Sequence, residues 1–482
     1  MSESLSVNNP ALPQSSAPPG AHALSPWTAT PAPDYTLAVP GGERRTLAIG
    51  WLLLGLIALI ASGIFSILLV LSRTPYLQNV FPVADFFHVA LVVHVDLSVL
   101  VWFLAFAGVV WSLNSTTRWA NLGWGAFVLA GAGTATMALA PFVGQGGPIM
   151  ANYIPVLQDK LFLAGLVTFA CGIALLTLRG MAAAPRVGTQ LTGAGALRFG
   201  LNSAVVATAV ALFAFAWSYF AVPLELDGKA YYELLFWGGG HVLQFTYTLL
   251  MLVAWLWLAS AIGARVPLTP RITVLLFGIA LASVFLTPII YLGYNIASVE
   301  HHRLQTWLMR FGGGLAIPPI VLAVVWALVR NGPTAPDAKP LRAALVASIV
   351  LFTLGGGIGF LIQGSNVKIP AHYHGCIVGV TLALMGVTYH LLPRLGFAQP
   401  GQRLATLQPY IYGGGQMLHI IGLVWSGGYG VQRKVAGAEQ VLHSNQEVAG
   451  MALMGLGGLI AIVGGLLFVV IVIAAIARRA RA

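Results

Sequence analysis

The chain has 482 residues, 58% of them hydrophobic and 8% charged, with a mean hydropathy of +0.85. A water-soluble protein of this length could not bury so much apolar surface, so the bilayer is its solvent and an all-α integral membrane fold is expected. The net charge of +11 invites a nucleic-acid partner, but the basic residues fall in short segments between apolar runs and build no single patch, which argues against one.

Residues 1–43 are rich in Pro, Ala and Ser and lack apolar periodicity, so they are expected to form a disordered cytoplasmic N-terminal tail. They do not read as a signal peptide, because the first apolar run begins only after Arg44-Arg45. Residues 44–482 are expected to form one twelve-helix catalytic domain. Its spans fall near 46–71, 86–113, 120–143, 160–178, 202–222, 231–261, 272–297, 307–329, 343–362, 371–392, 409–428 and 449–476, each long enough to cross ~30 Å of hydrocarbon. With both termini cytoplasmic, Arg44, Arg45, Arg118, Arg179, Arg265, Arg330 and Arg394 fall inside with most of the 24 basic residues. The acidic loop Glu225, Asp227, Glu233 then lies outside, as the positive-inside rule requires. Cys171 and Cys376 lie inside apolar runs and form no CxxC or CxxCH pair, which argues against disulfides, structural zinc and covalently attached heme.

Helix directions bring six of the eleven histidines to one depth in the outer half of the membrane. His94 lies in the second span and His241 in the sixth, ~15 Å below its start. His301 and His302 are expected at the outer end of the seventh, and His372 and His374 in the first turn of the tenth. A polar ring in hydrocarbon needs a partner, and a single such histidine is most simply a hydrogen-bonded core residue; six converging from four helices point to metal ligation. His372 and His374 are about 200° apart on a helix, so one short segment can serve two centres. His241 with the His301-His302 pair offers three imidazoles to one ion, a donor set suited to catalytic copper or iron.

These residues resemble the catalytic subunit I of the heme-copper oxidase superfamily, across residues 46–476. The resemblance is carried by Trp237-Gly-Gly-Gly-His241, by His301-His302, by Ile369-Pro-Ala-His-Tyr-His-Gly375, by Tyr389-His-Leu-Leu-Pro393 and by Arg433-Lys434. It implies two hemes and a non-heme copper or iron. His94 and His374 would hold a low-spin heme, with His88 the alternative to His94, and His372 a high-spin heme. His241, His301 and His302 would hold the non-heme metal, and Arg433 and Lys434 the heme propionates or lipid headgroups. His390 and His419 match no ligand position. The resemblance further implies a multi-pass protein of a bacterial inner membrane. With no CxxCH or dinuclear-copper motif in the chain, a partner subunit or soluble cytochrome would donate electrons.

Two gaseous substrates fit. The tyrosine that serves oxygen reduction in A- and B-type members lies four residues after the sixth-span histidine, where this chain has Phe245. Tyr247 points about 120° away from His241, and Tyr291 and Tyr294 match a C-type position only loosely. Nitric oxide reduction needs no such tyrosine, and Gln244 and Glu300 are the polar residues offered near the metal, Glu300 also as a solvated loop carboxylate. The inner part of the sixth span, Leu249 to Ala259, carries no polar side chain beyond two indoles, which disfavours a cytoplasmic proton file. The reading favoured is a non-pumping nitric oxide reductase resembling the divergent e-type enzymes. A proton-translocating cytochrome c or quinol oxidase is the alternative, and a non-catalytic diheme electron-transfer cytochrome stands behind both.

Overall fold

The computed structural model describes residues 34–77, 84–188, 191–332, 334–436 and 439–478, so most of the expected tail lies outside the described residues. The part that is described packs. Tyr35 is fully buried, its hydroxyl donating to the Leu268 carbonyl at 2.8 Å and meeting Thr273 Oγ1 at 2.7 Å, while its backbone N–H donates to Ser260. One aromatic ring with a satisfied hydroxyl anchors a segment whose composition gave no such signal.

Eleven helices of the described residues are long and apolar enough to cross a membrane: α1 (Glu43–Arg73), α2 (Phe86–Leu113), α3 (Ala120–Val143), α4 (Lys160–Ala182), α5 (Gly193–Ala221), α6 (Gly228–Ala261), α7 (Pro270–Gly293), α8 (Val299–Arg330), α9 (Pro336–Gly359), α10 (Lys368–Arg394) and α12 (Asn445–Ala477). The helix between the last two, α11 (Gln402–Gly428), has 27 residues but is more polar, with Gln402, Arg403, Gln408, Gln416 and His419. Helices thus stand at all twelve expected positions, and eleven are apolar enough to span by themselves.

Sequence neighbours pair: α3 with α4, α5 with α6, α9 with α10, and α11 with α12. Small residues set these contacts, as packing between helices in lipid requires close backbone approach. Between α11 and α12, Gly415 and Gly422 face the backbone of the partner helix with no room for a Cβ. The most enclosed helices are α6 and α10, which carry His241, His372 and His374. An antiparallel hairpin, β1 (Pro148–Ile149) with β2 (Val156–Leu157), fills the loop between α3 and α4. It marks one end of the bundle, called here the hairpin end.

Three helices are interrupted. In α2 a π-helical turn occupies Asp96–Val101, and in α8 another occupies Leu308–Gly313, ahead of Pro318-Pro319. In α7 the chain bends at Phe285, where Pro288 has no N–H to give to the preceding turn. The expected boundary between the seventh and eighth spans is wrong. Helix α7 stops at Gly293 and α8 already begins at Val299, so His301 and His302 stand in the first turns of α8 and not at the end of α7. The cause is local: Asn295 Oδ1 accepts from the Ala297 N–H at 2.9 Å, and Ser298 caps the new helix by accepting from the His301 N–H at 3.2 Å.

Candidate active site

Helix α10 presents its two histidines to different neighbours. The His374 ring packs 4.6 Å from the ring of His419 on α11. Across from it on α2, His94 Nδ1 lies 3.1 Å from the Ser62 carbonyl and 2.9 Å from the Ser62 hydroxyl, leaving Nε2 without a protein partner. The alternative His88 is engaged elsewhere, its Nε2 3.0 Å from the Lys434 carbonyl and 4.0 Å from Glu439. His372 Nδ1 lies 2.7 Å from the Gly355 carbonyl, again with Nε2 left over. Tying one ring nitrogen to a carbonyl so that the other keeps its lone pair is how metal-ligating histidines are oriented.

The three histidines expected around the non-heme metal share a neighbourhood. Trp237 packs its ring 4.7 Å from His241 and 4.8 Å from His302, and His301 lies 6.1 Å from His302. His301 is 1% exposed and neither ring nitrogen has a partner. Gln305, one turn further along α8, is fully buried with both amide atoms unpartnered. Buried polar atoms are rarely left so, because each costs about 1–3 kcal/mol. As the rings stand, no three His, Cys, Asp or Glu side chains among the described residues surround one point closely enough to hold an ion.

Tyr153 completes this neighbourhood from the hairpin loop, where sequence reasoning did not look. Its hydroxyl lies 2.8 Å from His241 Nε2, while His241 Nδ1 lies 2.7 Å from the Trp237 carbonyl one turn back; Thr306 Oγ1 is 3.3 Å from Nε2. The Gly238-Gly239-Gly240 run explains how the ring fits. A Cβ on Gly238 would overlap Tyr291, on Gly239 Phe215, and on Gly240 the Tyr153 ring, so each glycine admits one aromatic side chain from a different element. Tyr153 sits at φ +68°, a left-handed conformation costing an aromatic residue about 1–2 kcal/mol. Two latches hold it there: Glu233 accepts from the Asn152 N–H at 3.2 Å and from its Nδ2 at 2.9 Å, and the Lys434 ammonium donates to the Met150 carbonyl. Burial pulls the Lys434 ammonium down to about 8, with Arg433 adding to the shift and Glu233 opposing it.

The remaining expected residues scatter. Glu300 is exposed in the first turn of α8, directly preceding His301. Gln244 is half-buried and makes one long contact, 3.5 Å to the Gly240 carbonyl. Arg433 donates to Ser365 Oγ at 3.3 Å. Tyr291 places its ring edge against His301, but its hydroxyl is committed to Ser218 and the Ala214 carbonyl; Tyr294 is exposed. Phe245 is 1% exposed in the core. Asp96, two residues past His94 in the π turn, has both carboxyl oxygens buried and unpartnered, and the signal for it in the sequence is that it is the one acid within the span 86–113.

Comparison with known proteins fits this arrangement. A family model for cytochrome c and quinol oxidase polypeptide I matches residues 46–467. The chain is 31% identical to an uncharacterized protein of Rickettsia prowazekii, over 89% of this chain and 96% of that one. It is 28% identical to an uncharacterized protein of Aquifex aeolicus, over 72% and 85% respectively. In fold it is similar to a heme-copper terminal oxidase solved as a dimer by cryo-EM, with a TM-score of 0.71 at 16% identity, covering 92% of this chain and 86% of that one. The chain belongs to the cytochrome c and quinol oxidase polypeptide I family, a family of membrane oxidoreductases that bind hemes and a further metal. The free Nε2 atoms of His94 and His372 and the orphaned nitrogens of His301 fit such groups.

Proposed function

We propose that the chain is the catalytic subunit of a bacterial inner-membrane terminal reductase that converts two molecules of nitric oxide to N2O without pumping protons. The hairpin end then faces outward, and electrons arrive from a partner subunit or a soluble cytochrome. In this reading His94 and His374 hold the low-spin heme, His372 the high-spin heme, and His241, His301 and His302 a copper or iron. Arg433 and Lys434 lie at the hairpin end, where heme propionates would emerge. The bound hemes and metal supply the redox chemistry, and the chain's residues orient them and govern proton access.

The observation that carries the reading is the difference in polarity on the two sides of His241. Toward the hairpin end, Glu233, Asn152 and Tyr153 form a polar line to its Nε2. Away from it, the polar groups Asp96, Tyr247 and the Thr208–Thr246 pair give way to a cavity lined by Phe106, Val110, Leu201, Leu250, Val253 and Trp257. Protons crossing that apolar stretch would pay a high cost, whereas those entering at the hairpin end would not. Phe245, in the position of the oxidase tyrosine, agrees with this.

Oxygen reduction is the second reading, and one observation favours it: a tyrosine does lie against His241, on a loop and not on α6. Turnover of purified protein with nitric oxide and with oxygen, supplied separately, decides between them. N2O formation with slow oxygen consumption is expected. Fast oxygen consumption with negligible N2O would overturn the assignment, and two hemes with no third metal would leave a diheme electron carrier.

A further inference from the structure

We propose that Gln416 is the hydrogen-bond acceptor that orients His374 as a heme ligand, with His419 backing the same ring from the same helix. The inference rests on the reading that His374 holds the low-spin heme and is independent of which gas is reduced. The other two proposed heme ligands are oriented by the backbone: His94 Nδ1 lies 3.1 Å from the Ser62 carbonyl, and His372 Nδ1 2.7 Å from the Gly355 carbonyl. Among the described residues no carbonyl does this for His374. Its ring is hydrogen-bonded instead by the Gln416 side chain, from α11. Gln416 Oε1 is buried and has no partner, so the amide nitrogen makes that contact and donates to the ring.

An imidazole that gives one nitrogen to iron carries its proton on the other, and that N–H needs an acceptor. A half-turn of the Gln416 amide exchanges its nitrogen and oxygen at nearly constant shape and brings Oε1 to the ring. The orphaned oxygen and the ligand's N–H then satisfy each other. His419, three residues further along α11, packs its ring 4.6 Å from that of His374 at 54°, and its own Nδ1 lies 3.0 Å from the Met454 carbonyl of α12. Gly458 of α12 leaves the room for it, since a Cβ there would come within 3.3 Å of His419 Nδ1. A histidine that merely filled the core would need the bond to Met454, but no buried glutamine beside it with half its amide unpartnered. Gln416 is a positioning residue, because it touches the ligand and not the reacting atoms. The strength of the acceptor sets how much electron density the imidazole gives to iron, so this pair tunes the potential of one heme and not the other.

The test uses the full-length protein purified with its hemes. Each heme's midpoint is read by redox titration of its absorption bands, and the low-spin iron is followed by electron paramagnetic resonance. Gln416→Met keeps the side chain's length and removes the amide, so the ferric form loses support. It is expected to retain both hemes, to favour reduction of the low-spin heme by about tenfold (~59 mV higher for one electron) and to move its resonance, with a smaller shift at the high-spin heme. Gln416→Glu keeps an acceptor oxygen at the same reach, and its low-spin midpoint is expected at or below the wild-type value. A midpoint and resonance in Gln416→Met that match wild type, or a midpoint in Gln416→Glu raised by the same tenfold, would overturn the proposal. A wild-type chain without a low-spin bis-imidazole heme, or such a heme persisting unaltered in His374→Ala, would instead overturn the reading on which it rests.

Discussion

At the hairpin end, side chains of histidine, tyrosine and glutamate stand among the helices, held by bonds between distant parts of the chain such as Tyr153 to His241 and Asn152 to Glu233. At the opposite end, α6 continues as Leu249, Leu250, Leu252, Val253 and Leu256, all buried against apolar neighbours. The same helix therefore changes occupation about two turns below His241. Its first half is shaped by what it holds, with three consecutive glycines that each admit an aromatic ring, and its second half is closely packed.

The comparison can be broken most severely at the histidines. If His374 holds a heme as proposed, His374→Ala should leave one heme per chain and lower turnover at least about 100-fold, since removing a ligand exceeds the usual loss from its supporting partners. Retention of both hemes would show that the neighbouring His419 can take the place of His374. In the other half, Leu250→Ala should cost about 2–5 kcal/mol of stability, read as a lower unfolding midpoint in detergent, with turnover per heme unchanged. A drop in turnover per heme would mean that the apolar half takes part in the chemistry. The smallest effect is expected from Glu300→Gln. Because this carboxylate is exposed, turnover should stay within about twofold and stability within about 0.5 kcal/mol. A larger loss would return Glu300 to the site despite its position.

Much of the fold was legible because a bilayer imposes long apolar runs, and histidines stand out against them. Helix direction followed from the run count, which is why His94, His241, His372 and His374 could be brought to one end before any coordinates. Helix ends were less legible: the turn through Asn295 and Ser298 carries polar cap chemistry that apolar windows average away, and this shifted His301-His302 by one helix. Tyr153 was not legible at all. It lies 88 residues from His241, in a loop with no periodicity, and its only trace in the sequence was the glycine run whose notch it fills. His419 was set aside for matching no ligand spacing, although packing places its ring against His374.

The two π-helical turns bear on how such a chain tolerates change. Each follows a site histidine closely, Asp96–Val101 after His94 and Leu308–Gly313 after His301 and His302. A π turn holds about one residue more than an α turn, so it offsets everything beyond it by about 100° around the axis. The aim of the histidine and the packing face of the remaining helix are thereby uncoupled. Deleting a single residue within either turn would restore a regular helix and turn one half against the other, so at these places the chain is more sensitive to length than to the identity of any side chain.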